Sequence, residues 1–320
     1  RPFRLCAGLV RRRRHGILAL HRRRRFMPRI TANGLAIEYD ERGAADAPAL
    51  LLVMGLGAQM LLWPDRFCSA LADRGYRVIR FDNRDIGLSE KLDSAGIPDL
   101  AALGKALAAG EAVSVPYLLA DMAADAAGVL DELGVGRAHV VGASMGGMIA
   151  QLVAVRYPSR VRSLTSIMST SGRPGLPTGT PEATAALMSR PAGFDRQSVV
   201  DHGVKLAKII GSPGYPVPDE IVRSFTEKLY DRSFYPIGML RQYAAIMASG
   251  SRETVLPGIA APALVIHGDA DPLLPLAHGE DTARLIPGAR LEVIEGMGHN
   301  FPPQLNDRLA DLIAAHAAAA

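Results

Sequence analysis

Apolar and polar side chains alternate over residues 35–41, the period of a strand with one covered face. Residues 49–54 are instead continuously apolar, as in a short strand buried on both faces. Pro64 suits the first turn of a helix, and Phe67, Ala70 and Leu71 give residues 64–73 one apolar face. A strand is predicted at 77–81. Residues 117–133 carry Leu118, Met122, Val129 and Leu133 at helical spacing and stop at Gly134, suited to the left-handed residue that closes a helix. A strand at 138–141, a helix at 145–157 ending before Pro158, and a strand at 161–168 follow. The rhythm then breaks. Residues 173–250 are rich in Pro and Gly, with helical pieces predicted at 198–210, 219–230 and 237–247. Strand and helix alternate again at 263–267, 276–286, 291–294 and 305–319. Such alternation predicts an α/β architecture, a mostly parallel central sheet with helices on both faces. The interruption predicts a helical cap over 173–250, set into a core of residues 27–172 and 251–320.

Composition changes this picture little, and charge changes it at one end. The chain has 320 residues, 48% apolar and 21% charged, ample for one large core. No apolar run reaches the ~18 residues of a membrane span. The net charge is +4, but eleven Arg and no acid lie in residues 1–29, leaving 25 basic against 32 acidic residues elsewhere. The body is therefore acidic, and no nucleic-acid partner is expected of it. Residues 1–26 are expected to be a basic, disordered extension, with Met27 opening the folded chain; a targeting peptide, a nucleic-acid arm and upstream sequence ahead of the true start are the readings weighed for it. Cys6 and Cys68 are expected as free thiols, the latter facing the core, so neither a disulfide framework nor a cysteine metal site is expected. With no export signal, a cytoplasmic location is expected.

The sharpest chemical signal is Gly142-Ala143-Ser144-Met145-Gly146, preceded by an apolar strand and followed by a helical pattern. A serine on a tight strand-to-helix turn is forced into a strained conformation that lifts its hydroxyl clear of the backbone. Strand and helix pass close together there, so the flanking residues must be small. The helix beyond points its positive end at the reacting atom.

A nucleophilic serine needs a neutral imidazole within reach and a carboxylate to hold that ring in one tautomer. On this kind of turn the acid and then the histidine follow the serine in the chain. His15, His21 and His139 precede Ser144, His202 falls in the cap, and His316 lies in the last helix. Of the rest, His299 sits in a Gly-flanked loop just past the strand at 291–294 and is the predicted base. His267 is expected to end a strand and bond locally, and His278 to begin a surface helix. The predicted orienting acid is Asp271, in the loop stiffened by Pro272 and Pro275. Asp269 is read as a turn residue bonding its own backbone. Two N–H donors must face the oxyanion; Met145 and Leu56, in Met54-Gly55-Leu56-Gly57, are assigned that role.

In type and order, the turn 142–146, the loop 267–275 and Gly298-His299 resemble the α/β-hydrolase superfamily over residues 30–318. So does Asp82-Asn83-Arg84-Asp85-Ile86-Gly87-Leu88-Ser89, similar to a structural turn after a sheet strand in those proteins. Residues 53–64 and 78–82 are similar to the aclacinomycin methylesterase group. Many relatives carry His-Gly where this chain has Met54-Gly55, and that group tolerates Met there. The resemblance implies an α/β-hydrolase fold and a serine esterase that takes a small-molecule ester, short-chain or methyl, through an acyl-enzyme without cofactor or metal. Lactone or carbon–carbon bond hydrolysis, perhydrolysis and acyl transfer run on the same three groups, and a non-catalytic binding protein can share the fold. Met60, Trp63, Phe194, Leu206, Phe225 and Tyr235 are candidates for the substrate pocket, each equally readable as core.

Overall fold

The computed structural model describes residues 28–320. The arginine runs, Cys6 and the expected extension over 1–26 lie outside the described residues. In chain order the elements are β1 (Arg29–Ala32), β2 (Leu35–Arg42), β3 (Ala49–Val53), α1 (Asp65–Asp73), β4 (Arg77–Phe81), α2 (Leu100–Ala108), α3 (Leu119–Glu132), β5 (Ala138–Ala143), α4 (Met145–Arg156) and β6 (Val161–Ile167). Then come α5 (Pro181–Leu187), α6 (Arg196–Ile210), α7 (Asp219–Arg232), α8 (Pro236–Ser249), β7 (Ala263–Gly268), α9 (Ala277–Leu285), β8 (Arg290–Ile294) and α10 (Asn306–Ala318). The strands form one sheet in the order β1-β2-β4-β3-β5-β6-β7-β8. It is parallel from β4 through β8, and β1 and β2 join antiparallel at one edge. Asn33 and Gly34 link these two with φ of 49° and 78°, the left-handed pair that a two-residue hairpin needs.

The continuous apolar runs have a direct cause, since both faces of the sheet are covered. Leu51, Val53, Ile79 and Val140 face Leu119, Met122, Ile149 and Val153 of α3 and α4. Their neighbours Leu50, Leu52, Val78 and Val141 face Phe67 and Leu71 of α1 and Leu309 and Ile313 of α10. Successive side chains of one strand thus enter opposite cores. Cys68 lies in the second, with its thiol pushed up to about 11 by burial.

Helix α1 begins one residue later than expected, with Pro64 at its N-cap. β1, α2 and α5 were not anticipated. β1 has only four residues, too few to show a period. α2 carried a readable signal, because Asp99 accepts from the Ala101 and Ala102 amides at the start of an Ala- and Leu-rich run. Helices α5 to α8 all fall between β6 and β7. α8 is anchored by an ion pair with no exposure: Arg241 Nε and Nη2 donate to the two Asp85 oxygens, each at 2.8 Å. Among the described residues no helix is long and apolar enough to cross a membrane.

Candidate active site

The parallel register brings three strand ends together. Val53 lies beside Gly142, and Ala143 beside Ile167. Ser144 is the first residue beyond β5, and its amide extends the ladder by donating to Ile167 O at 2.9 Å. It sits at φ 54°, ψ −122°, a conformation that a side-chain-bearing residue adopts only under strain. Its carbonyl is held by the Gly147 amide and the buried Ser169 hydroxyl, at 2.9 and 2.7 Å. The flanking glycines are steric necessities. A Cβ at Gly142 would stand 2.0 Å from Gly146 O, and one at Gly146 would stand 2.0 Å from Val53 O.

Residues from distant parts of the chain meet the Ser144 hydroxyl. His299 Nε2 lies 3.0 Å from Ser144 Oγ, and His299 Nδ1 lies 2.7 Å from Asp271 Oδ2. A carboxylate only accepts, so Nδ1 carries the proton and Nε2 is left as the acceptor facing the hydroxyl. Asp271 is 4% exposed, while Ser144 and His299 are partly open to solvent. Burial alone pushes the Asp271 carboxyl up, but His299 and the Leu274 amide outweigh it and hold the group below its ordinary 3.8. The other Asp271 oxygen accepts from the Leu273 and Leu274 amides, both at 2.9 Å.

The loop after β3 crosses directly above the serine. A Cβ at Gly55 would lie 3.1 Å from Ser144 Cβ and 3.6 Å from its Oγ. Among the described residues, no protein acceptor takes the Leu56 or Met145 N–H. Both expected donors are therefore available at one end of the sheet, Met145 as the first residue of α4.

Other expected positions differ. Asp269 bonds not its own backbone but the Gly296 amide, at 2.7 Å, clasping the acid loop to the histidine loop. The backbone-bonding turn belongs to Asp271 instead. His278 is not a surface residue: it is buried, with its ring nitrogens 2.7 Å from Thr170 Oγ1 and 2.8 Å from Pro177 O. His267, as expected, lies at the end of its strand, one residue before the last of β7, and bonds locally: Nε2 donates to Leu274 O at 2.7 Å, steadying the loop that carries Asp271. Burial pushes its pKa below the ordinary 6.5. Of the pocket candidates, Met60 and Trp63 are closed into the protein with no exposed surface. Trp63 stacks on Phe67 at 5.5 Å and meets Phe301 at 4.8 Å. Phe194 is 65% exposed on the outside of the insertion. Leu206 and Phe225 are half-buried on α6 and α7. The Tyr235 hydroxyl is committed to Asp93 and Arg241.

Several supporting residues had no sequence signal, because their partners are remote in the chain. Ser212, after α6, accepts from the Gly298 amide at 2.8 Å and donates to Asn300 Oδ1 at 2.5 Å. The His299 amide itself donates to Ile210 O, the end of α6, at 2.7 Å. The insertion thus grips the histidine loop on both sides of the ring. Among the described residues no group of three or more His, Cys, Asp or Glu side chains is arranged to hold a metal ion.

A family model described as alpha/beta hydrolase fold matches residues 48–303. The chain belongs to the α/β-hydrolase fold family. Within that family it is 32% identical over 295 residues to rhodomycin D methylesterase DauP of Streptomyces sp. strain C5, covering 86% of this chain and 92% of that protein. It is 31% identical over 296 residues to rhodomycin D methylesterase DnrP of Streptomyces peucetius, with the same coverage of 86% and 92%. Among solved α/β-hydrolase structures, a meta-cleavage product hydrolase from Pseudomonas fluorescens IP01 superposes with a TM-score of 0.71 at 21% identity, over 90% of this chain and 96% of that one. The chain is a carboxylic ester hydrolase of the α/β-hydrolase family, and its resemblance to the aclacinomycin methylesterase group agrees with these relatives.

Proposed function

We propose that the chain hydrolyses a carboxylic ester of a small molecule through an acyl-enzyme on Ser144. One observation carries this: a continuous hydrogen-bonded line from Ser144 Oγ through His299 to buried Asp271, beginning at a strained serine. His299 Nε2 takes the hydroxyl proton as Ser144 Oγ attacks the ester carbonyl. The carbonyl oxygen becomes an oxyanion, received by the N–H groups of Leu56 and Met145. The tetrahedral adduct expels the alcohol, which takes the proton from His299. Water then gives a proton to His299 and attacks the acyl group, and His299 passes that proton to Ser144 Oγ as the acid departs. Asp271 stays ionised throughout and stabilises the imidazolium.

Relatives named as methylesterases over most of this chain support a methyl ester of a larger acid as the substrate class. Residues 173–250 act as a cap over the site in this reading. The direct test is Ser144→Ala on methyl and p-nitrophenyl esters, with a panel of acyl lengths and lactones. Turnover of wild type is expected to fall by at least about 10⁴-fold in the folded variant. Retained turnover refutes the assignment, and wild-type preference for lactones over methyl esters refutes the substrate class.

A further inference from the structure

The loop Met54-Gly55-Leu56-Gly57 presents two neighbouring backbone N–H groups, Leu56 and Gly57, and the reaction proposed above uses the first. Glycines at 55 and 57 give this backbone wide latitude, Gly57 sitting at φ 66°, and the turn is closed on itself only by a long bond from the Ala58 amide to Gly55 O at 3.3 Å. What holds the ends of that turn therefore bears on which N–H faces the serine. Asn83 fixes the near end of the loop by donating to Met54 O at 2.8 Å. The far end is held from the insertion, where Gln242 Oε1 on α8 accepts the Gly57 N–H at 2.9 Å. Gln242 Nε2 donates to Arg84 O, also at 2.9 Å. The side chain is fully buried, and its two ends face opposite kinds of group, a donor and an acceptor. Its amide consequently has one satisfied orientation. Helix α8 reaches the loop only because residue 238 is glycine: a Cβ there would stand 2.0 Å from Asp85 O. The adjacent Arg241–Asp85 pair locks the helix at that depth.

We propose that Gln242 is a positioning residue, which occupies the Gly57 N–H and thereby leaves the Leu56 N–H as the one aimed at the oxyanion. The proposal rests on Leu56 being an oxyanion donor. A hole built this way is preorganised, because its dipoles need not turn as charge develops. Without the pin, the loop spends time with the wrong N–H inward, and the loss falls on the transition state more than on bound substrate.

The test uses the full chain with Gln242→Met, which keeps length and volume without hydrogen bonds. The readouts are kcat and KM on p-nitrophenyl acetate, and inhibition by a matched pair of ketones. A trifluoromethyl ketone adds the serine hydroxyl and places an alkoxide where the oxyanion forms, whereas its methyl ketone counterpart mimics bound substrate. Expected is a loss of about 10–10²-fold in kcat and a similar loss in trifluoromethyl ketone affinity, with methyl ketone affinity within about twofold. Equal weakening of both ketones, or of neither, overturns the proposal. If Gln242→Met does not fold, Gln242→Asn carries the test: it keeps a buried amide but is one methylene short, and the same selective loss is expected, smaller. Wild type that fails to turn over esters, or Ser144→Ala that still does, faults the parent reading. Active wild type with unselective Gln242 variants faults this inference alone.

Discussion

Consider Gly146→Ala, two residues past the candidate nucleophile. The added methyl would stand 2.0 Å from Val53 O, 2.6 Å from Val53 C and 2.8 Å from Met54 O. Real Cβ contacts are essentially never closer than 3.0 Å, so about 1 Å must be found. Helix α4 cannot retreat to supply it, because Gly147 is already wedged on Ser169, where a Cβ would lie 2.5 Å from the serine Cβ. The end of β3 must move instead, and with it the loop that carries Leu56 over Ser144. A misplacement near 1 Å in a catalytic constellation costs roughly 10²-fold in rate. Overpacking of this kind also costs about 1–3 kcal/mol of stability. Steady-state kinetics on p-nitrophenyl acetate, with the active fraction titrated by a fluorophosphonate and the fold followed by thermal melting, measures both. The control is Gly136→Ala, where no heavy atom lies within 4 Å of the added methyl. It is expected to leave rate and stability unchanged to within about 0.5 kcal/mol. A Gly146→Ala enzyme with kcat within about threefold of wild type and an unshifted melt would show the reasoning to be wrong.

Asp271→Asn offers the Leu273 and Leu274 amides an oxygen and so turns its NH2 toward His299, imposing the wrong tautomer. A kcat loss of about 10³–10⁴-fold with little change in KM is expected, and a loss under about tenfold contradicts the orienting role. Arg241→Met leaves the Asp85 carboxyl without its guanidinium partner at a buried site. Urea unfolding should report about 3–5 kcal/mol of destabilisation, and a change below about 1 kcal/mol counts against a buried pair. His139 is buried against Ser163, and burial, helped by the charges of Arg162, His316 and Arg137, pushes its pKa from 6.5 down to about 4. The unfolded chain binds the proton first, so this contribution to stability is intact above pH 6.5 and is lost as pH falls toward about 4. Allowing for solvent screening, His139→Gln should flatten the fall in unfolding free energy between these pH values by about 2 kcal/mol. Identical pH slopes for the two proteins count against it.

The sheet was legible because its cause is local. A strand buried on both faces needs an unbroken apolar run, and residues 49–53, 140–143 and 263–266 carry one. The serine turn was legible because its pattern is short: two glycines around one serine span five residues, although only the demand at 142 arises inside the turn, the contact that forbids a side chain at 146 coming from Val53 of β3. His299 and Asp271 followed from chain order together with their place past strand ends. Asp269 and Asp271 exchanged turn behaviour, because which carboxylate finds the Leu273 amide and which finds the Gly296 amide depends on how two loops meet. The pocket candidates carried no such signal. An apolar residue is equally suited to core or cleft, and packing alone closed Trp63 inside and left Phe194 on the surface. Nothing along the chain ties Gln242 to Gly57, or Ser212 to the His299 loop. Residue types and spacing determined that a strained serine, a histidine and an acid would stand at strand ends. How close the insertion comes to the core, and hence which polar side chains hold that site in register, was decided only when helices α6 and α8 packed down, since a hydrogen bond between distant segments has no local steric or periodic trace.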